Sequence, residues 1–166
     1  LFHVKHLIVS REPGPGMAAI FRTMEEIMKT AILYYSFGGR TKDAAEKMAA
    51  ERGAALERVE EERSRSFFSA VIPGCIHARC RKASAIKPLT LKLDDFDRIL
   101  IGAPIWGGFP APAFNAAVEL LPQGKDVELF FCSGGGSSSM SEEGTRKLIA
   151  GKKCSLMKYH DIKTGK

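Results

Sequence analysis

The chain has 166 residues, 45% hydrophobic and 27% charged, which suits one globular domain with a real core and excludes a disordered or fibrous chain. The net charge is +6, but the basic residues lack the aromatic interleaving of a nucleic-acid surface, so no nucleic-acid partner is expected. No apolar run approaches the roughly 20 residues that span a bilayer, and no secretory leader is apparent, so no membrane association is expected.

Residues 1–16 end in Pro13-Gly14-Pro15-Gly16, a loop signal. In residues 17–28, Met17, Ile20, Phe21, Met24, Ile27 and Met28 fall on one face of a helix. Two readings stay open. Either this is an extra amphipathic helix packed on the sheet, or translation starts at Met24 or Met28 and the preceding residues are a start-site artefact. The second is preferred. Residues 1–28 are thus set apart as an N-terminal extension, and residues 29–166 as the domain proper.

Residues 31–35 (AILYY) read as a parallel strand covered on both faces. The loop Ser36-Phe37-Gly38-Gly39-Arg40-Thr41 follows, then a helix on Ala44, Ala45, Met48 and Ala49 that Gly53 closes. A strand, a small-residue loop and a helix N-terminus make an anion site, because the first helical amides have no internal partner. The expected ligand carries phosphate; an ordinary βα turn is the alternative.

Residues 55–59 read as the second strand, and residues 60–65 as a solvated charged turn. Residues 66–87 are basic and carry a helical apolar face interrupted at Pro73-Gly74. They read as a covering helix, with a docking surface or lid as the sharper reading. Cys75, Cys80, Cys132 and Cys154 show no CxxC or zinc spacing, so no metal is expected and the thiols suit a reducing cytoplasm.

Residues 98–103 read as the third strand. Beyond it Pro104-Ile105-Trp106-Gly107-Gly108-Phe109-Pro110-Ala111-Pro112 reads as a rigid exposed loop carrying the only tryptophan. Such an indole suggests a stacking platform for a planar ligand, with core packing as the alternative. A helix is predicted over 113–121 and a fourth strand over 126–132. A loop Ser133-Gly134-Gly135-Gly136-Ser137-Ser138-Ser139 follows, then a helix capped by Ser141 and stopped by Gly151, and a fifth strand over 154–162.

Five strands alternating with helices predict a doubly wound parallel α/β sheet. In strand order 2-1-3-4-5, the loops after strands one, three and four converge at the switch point where such sheets bind ligands.

At these loops the chain resembles the flavodoxins and flavodoxin-like FMN proteins over about residues 29–162. Ser36, Gly39 and Thr41 match the hydroxyl, glycine and threonine of the family's phosphate loop. Ile101-Gly102-Ala103-Pro104-Ile105-Trp106-Gly107-Gly108 looks like its second loop, and Cys132-Ser133-Gly134-Gly135-Gly136 is similar to its third. The resemblance implies noncovalently bound FMN. Ser36, Phe37, Gly38, Gly39, Arg40 and Thr41 would hold the phosphate, and Pro104, Ile105 and Trp106 would bring the indole onto one ring face. Gly107 and Gly108 would place backbone near the reactive edge. Cys132, Ser133, Gly134, Gly135 and Gly136 would meet the pyrimidine and ribityl side. No Cys or His is assigned a catalytic role.

The chain departs from the family pattern in four ways. Gly38 replaces a hydroxyl while Arg40 adds a charge. No aromatic residue closely follows Gly136, which leaves the second ring face bare or covered by Met140. The +6 charge contrasts with acidic electron-carrier flavodoxins and points to an acidic redox partner or an enzymatic role. Finally, the four residues after Ile162 are too few for the family's last helix, so either the chain is a fragment or the 17–28 helix takes that place. The expected function is electron transfer. An FMN-dependent NAD(P)H or quinone reductase and a flavin-free interaction module are the alternatives.

Overall fold

The computed structural model describes residues 28–63, 66, 73–135 and 137–164. The expected helix at 17–28 therefore lies outside the described residues except for Met28. In chain order the elements are β1 (Thr30–Tyr34), α1 (Arg40–Arg52), β2 (Ala55–Arg58), α2 (Cys75–Arg79), β3 (Arg98–Trp106), β4 (Phe109–Pro110), α3 (Pro112–Glu119), β5 (Asp126–Ser133), α4 (Ser139–Gly151) and β6 (Ser155–Lys163). None of the described helices is long and apolar enough to cross a membrane.

The sheet follows from strands that are apolar on both sides. Along β1, β3 and β5, successive side chains point to opposite faces. Leu33, Ile99, Ile101, Val127, Leu129 and Phe131 meet Phe114, Ala117 and Val118 of α3 and Ile149 of α4. Ile32, Tyr34, Leu100, Phe130 and Cys132 share the other face with Ala44, Ala45, Met48 and Ala49 of α1. Helices on both sides are what a parallel sheet requires, because each crossover must return the chain to the same end. The order is β2-β1-β3-β5-β6, all parallel. Counting only these five strands, it is the expected 2-1-3-4-5.

Two close packings hold the middle of the sheet. The outer edge of the Phe130 ring fills the place where a side chain on its β3 neighbour Gly102 would stand, so any Cβ there would collide with it. Glu128, only 2% exposed, faces α1. Arg52 Nη1 donates to its carboxylate at 2.9 Å and Arg98 Nη1 lies 3.3 Å away, so the buried charge is neutralised where it stands.

The structure corrects the sequence reading in four places. First, β3 continues through Pro104, Ile105 and Trp106, and Gly107-Gly108 turns it back into a sixth, two-residue antiparallel strand. Both glycines have positive φ, 59° and 87°, as a two-residue turn matched to strand twist demands. The segment is a hairpin where an open loop was expected. Second, α4 begins at Ser139. Ser141 sits within its first turn, buried, donating its hydroxyl proton to Ser138 O at 2.9 Å. Third, Gly151 is the last helical residue, and the left-handed residue beyond it is Lys153 (φ 56°). Fourth, residues 60–63 are more than a solvated turn: Glu61 bridges Ile86, and Lys87 donates its N–H to Glu60 O at 2.8 Å. Within the 66–87 stretch, the described α-helix is the short α2, and Pro73-Gly74 lead into it as a π-helical turn. Proline has no N–H to donate, so it favours a helix start over an interior position.

Candidate functional site

All parallel strands of the sheet point the same way, so the chain segments following β1, β3, β5 and β6 emerge at one edge. They enclose a cavity of about 310 Å³. The β1 side contributes Phe37, Gly38, Arg40 and Thr41; β3 contributes Pro104, Ile105 and Trp106; β5 contributes Cys132, Ser133 and Gly134; Thr164 follows β6.

The first wall is the start of α1. Gly39 is its cap residue, in the left-handed region at φ 89°, and no side chain caps the helix. The first intrahelical bond runs from the Asp43 N–H to Gly39 O at 3.0 Å. The amides of Arg40, Thr41 and Lys42 precede it and give this end its positive character. Ser36 is buried, and its Oγ accepts the Gly39 N–H at 3.1 Å, which leaves its own hydroxyl proton available. The Arg40 guanidinium reaches across to the β5 loop. A Cβ on Gly134 would stand 3.3 Å from Arg40 Nη1, so the missing side chain there makes room for it.

Thr41 and Cys132 are both almost fully buried. Burial pushes the Cys132 thiol up from its ordinary value, and a hydrogen bond with the Thr41 side chain only partly offsets this. Cys132 is therefore a neutral thiol at neutral pH, a packing and hydrogen-bonding group with little nucleophilic character.

Trp106 closes β3 and is half-buried. Its ring meets Tyr35 edge-on (centroids 6.0 Å apart, 80° between planes) and Phe37 likewise (5.9 Å, 89°). These contacts, with packing against the core, fix the indole, so its rigidity comes from two aromatic neighbours and a strand rather than from a Gly/Pro loop.

The structure brings ten of the sixteen sequence-predicted residues to the cavity lining. Ser36 and Gly39 stand behind it, shaping the first loop. Gly107 and Gly108 lie off the lining, in the hairpin turn between Cys75 and Met140. Gly135 is exposed next to Gly134, and Gly136 is outside the described residues. Thr164 was missed. Its N–H and hydroxyl both donate to Ser133 O, at 2.7 and 3.0 Å. The only sequence signal was a hydroxyl just past the last strand.

A second cavity of about 450 Å³ shares Phe37 as a wall and is lined by Tyr35, Arg58, Glu60, Glu61, Glu62 and Lys87. Its three carboxylates make it a poor host for phosphate.

No family model matches the chain, and no curated protein matches it. Solved structures do. A flavoprotein from Lactobacillus acidophilus, crystallised in complex with FMN, is 23% identical; the match covers 81% of this chain and 93% of that one, with a TM-score of 0.69. The apo-form of the flavoprotein from the same organism, solved by NMR, is 26% identical over 81% and 93%, with a TM-score of 0.61. Oxidised flavodoxin 1 from Bacillus cereus is 14% identical over 83% and 86%, with a TM-score of 0.52. With the strand order above, this likeness assigns the chain the flavodoxin-like fold.

Proposed function

We propose that this chain binds FMN noncovalently in the 310 Å³ cavity and serves as an electron-transfer protein. The observation that carries this reading is the convergence of three strand ends of different chemistry: a helix N-terminus with Arg40 and Thr41, an indole, and a small-residue loop from Cys132 to Gly134. The donor set fits the group. The phosphate would sit at the uncapped start of α1, where free amides, the Ser36 hydroxyl and the Arg40 guanidinium favour a dianion. Arg40 supplies the charge where Gly38 lacks a hydroxyl. Trp106, already held edge-on, offers a stacking surface at no conformational cost. Gly134 lets backbone approach closely. When bound, FMN supplies the redox chemistry, and the protein's part is binding, orientation and local dielectric. The fold shared with an FMN-complexed flavoprotein supports the same reading.

The test is reconstitution of purified protein with FMN. The expected result is a stoichiometric yellow complex with quenched Trp106 fluorescence. A protein that stays colourless and unquenched would instead be a flavin-free interaction module.

The cavity of about 450 Å³ behind Phe37 favours a second reading, an FMN-dependent NAD(P)H or quinone reductase, because it leaves room for a phosphate-free substrate such as a quinone beside the first cavity. Steady NAD(P)H oxidation with a quinone by the reconstituted protein would establish it; its absence would favour the carrier.

A further inference from the structure

Residues 63–93 carry seven Lys or Arg and no Asp or Glu, so the rest of the chain is close to neutral. The positive charge is the property of one excursion between β2 and β3. Its described part lies against the β3–β4 hairpin. A Cβ on Gly107 would be 3.7 Å from Cys75 Cβ. Arg81 fastens the excursion. Its Nη2 donates to Ser141 O at 2.8 Å, its Nη1 to Thr145 Oγ1 at 3.3 Å, and its guanidinium lies 5.9 Å from the Phe109 ring centre. Arg81 adopts φ 52° to do so, and Gly144 has no side chain to obstruct it.

The exposed large apolar residues among those described are Phe37, Ile76, Leu120, Met140 and Met157. Leu120 and Met157 lie toward the opposite end of the sheet, after α3 and at the start of β6. The other three ring the hairpin tip. Phe37 touches Trp106, Met140 Sδ would be 3.1 Å from a Cβ on Gly108, and Ile76 follows Cys75. Arg79 and Lys82, three and six residues after Ile76, are exposed. Glu142 and Glu143, next to Met140, are held by Arg146 and Lys147 at 2.7 and 2.6 Å, so they offset little of that charge. The carboxylates of Glu60–Glu62 lie on the Phe37 side, so the patch is basic at the Ile76 end. An apolar centre with a charged margin is the anatomy of a protein interface.

We propose that Phe37, Ile76 and Met140, with Arg79 and Lys82 at the margin, form the docking surface for an acidic redox protein, bringing it to the hairpin edge of the proposed FMN cavity. This rests on the FMN reading. A partner seated here lies next to Trp106, and its carboxylates face the Ile76 end.

The test titrates an acidic [2Fe–2S] ferredoxin, as probe, into the FMN-treated protein by calorimetry, with flavin absorbance read on the same sample. R79E/K82E should weaken ferredoxin binding about tenfold or more at low ionic strength, the difference shrinking to under about twofold near 0.5 M salt. Flavin uptake should be unchanged, since neither residue lines the cavity. I76S/M140S, which keeps the charge, should weaken binding at every salt concentration. Ferredoxin binding equal in wild type and both variants, or absent from wild type at low salt, overturns the docking surface. So does a short RNA duplex binding wild type as tightly as ferredoxin. Absent flavin absorbance with intact ferredoxin binding overturns the FMN reading alone.

Discussion

The parallel sheet and the excursion between β2 and β3 are built on opposite terms. In the sheet, β1, β3 and β5 bury nearly every side chain, and cohesion comes from apolar area and a continuous hydrogen-bond ladder. The excursion has a five-residue α-helix and a 3-10 turn at Leu93–Asp95 among its described residues; Ile86, Leu89 and Leu93 pack on the core, and the rest is held by discrete polar contacts such as Arg81 to α4, Lys87 to Glu60, and the Glu61–Ile86 bridge. The sheet's burial sets stability, and its edge sets where a ligand fits. The exposed positions of the excursion, Arg79 and Lys82 among them, carry charge without entering those contacts.

The largest effect should come from the frame. Phe130→Ala removes a buried ring packed against Gly102 and should cost about 3–5 kcal/mol in urea unfolding. A loss under about 1 kcal/mol would mean that the frame is less tightly packed than its burial suggests. Removing residues 1–28 should lower the melting temperature by several degrees if the amphipathic 17–28 stretch helps cover the sheet; an unchanged melting curve would reject that role.

Arg40→Ala tests the edge. FMN affinity should fall roughly 10- to 100-fold, the worth of a charge-assisted contact, while the unfolding midpoint stays put. Equal losses in both would make Arg40 a structural residue.

Gly144→Ala forces the Arg81 guanidinium off α4 and should cost under about 1 kcal/mol net, because the lost hydrogen bonds are partly offset by the roughly 1 kcal/mol that Ala gains over Gly inside a helix. R81A in the same chain should recover part of that loss, and flavin uptake should not change. Without such recovery, the clash lies elsewhere.

An effect of similar size concerns Tyr159, whose hydroxyl donates to Ser138 Oγ at 2.8 Å. Burial raises its pKa. Its stabilising contribution is therefore full below the ordinary tyrosine value of about 10 and is lost as pH climbs beyond it. Tyr159→Phe should cost about 1 kcal/mol at neutral pH and flatten part of the alkaline decline in stability; an identical decline in both proteins would remove Tyr159 as its source.

Much of this was legible in the residues themselves. Short apolar runs closed by glycine loops announce buried parallel strands, because only such strands need no polar face. The loops after β1, β3 and β5 stood out by composition, and the strand order placed them together. The Gly107-Gly108 turn was also legible as a hairpin signal, but three prolines nearby made the stretch look like open loop. Thr164 could be recognised only from the pairing of β6 with β5, which sets it beside Ser133. Arg81 is one basic residue among many until α4 packs across from it and Gly144 clears its path.

Strand identity, helix order and the candidate phosphate loop arise from interactions between near neighbours, which periodicity and composition report directly. Tertiary structure alone decided that Trp106 is held between Tyr35 and Phe37, that Thr41 bonds Cys132, and that the basic excursion lies at the hairpin tip. Each of these joins residues far apart in the chain, and such distances close only when the sheet has formed and fixed the register between its strands.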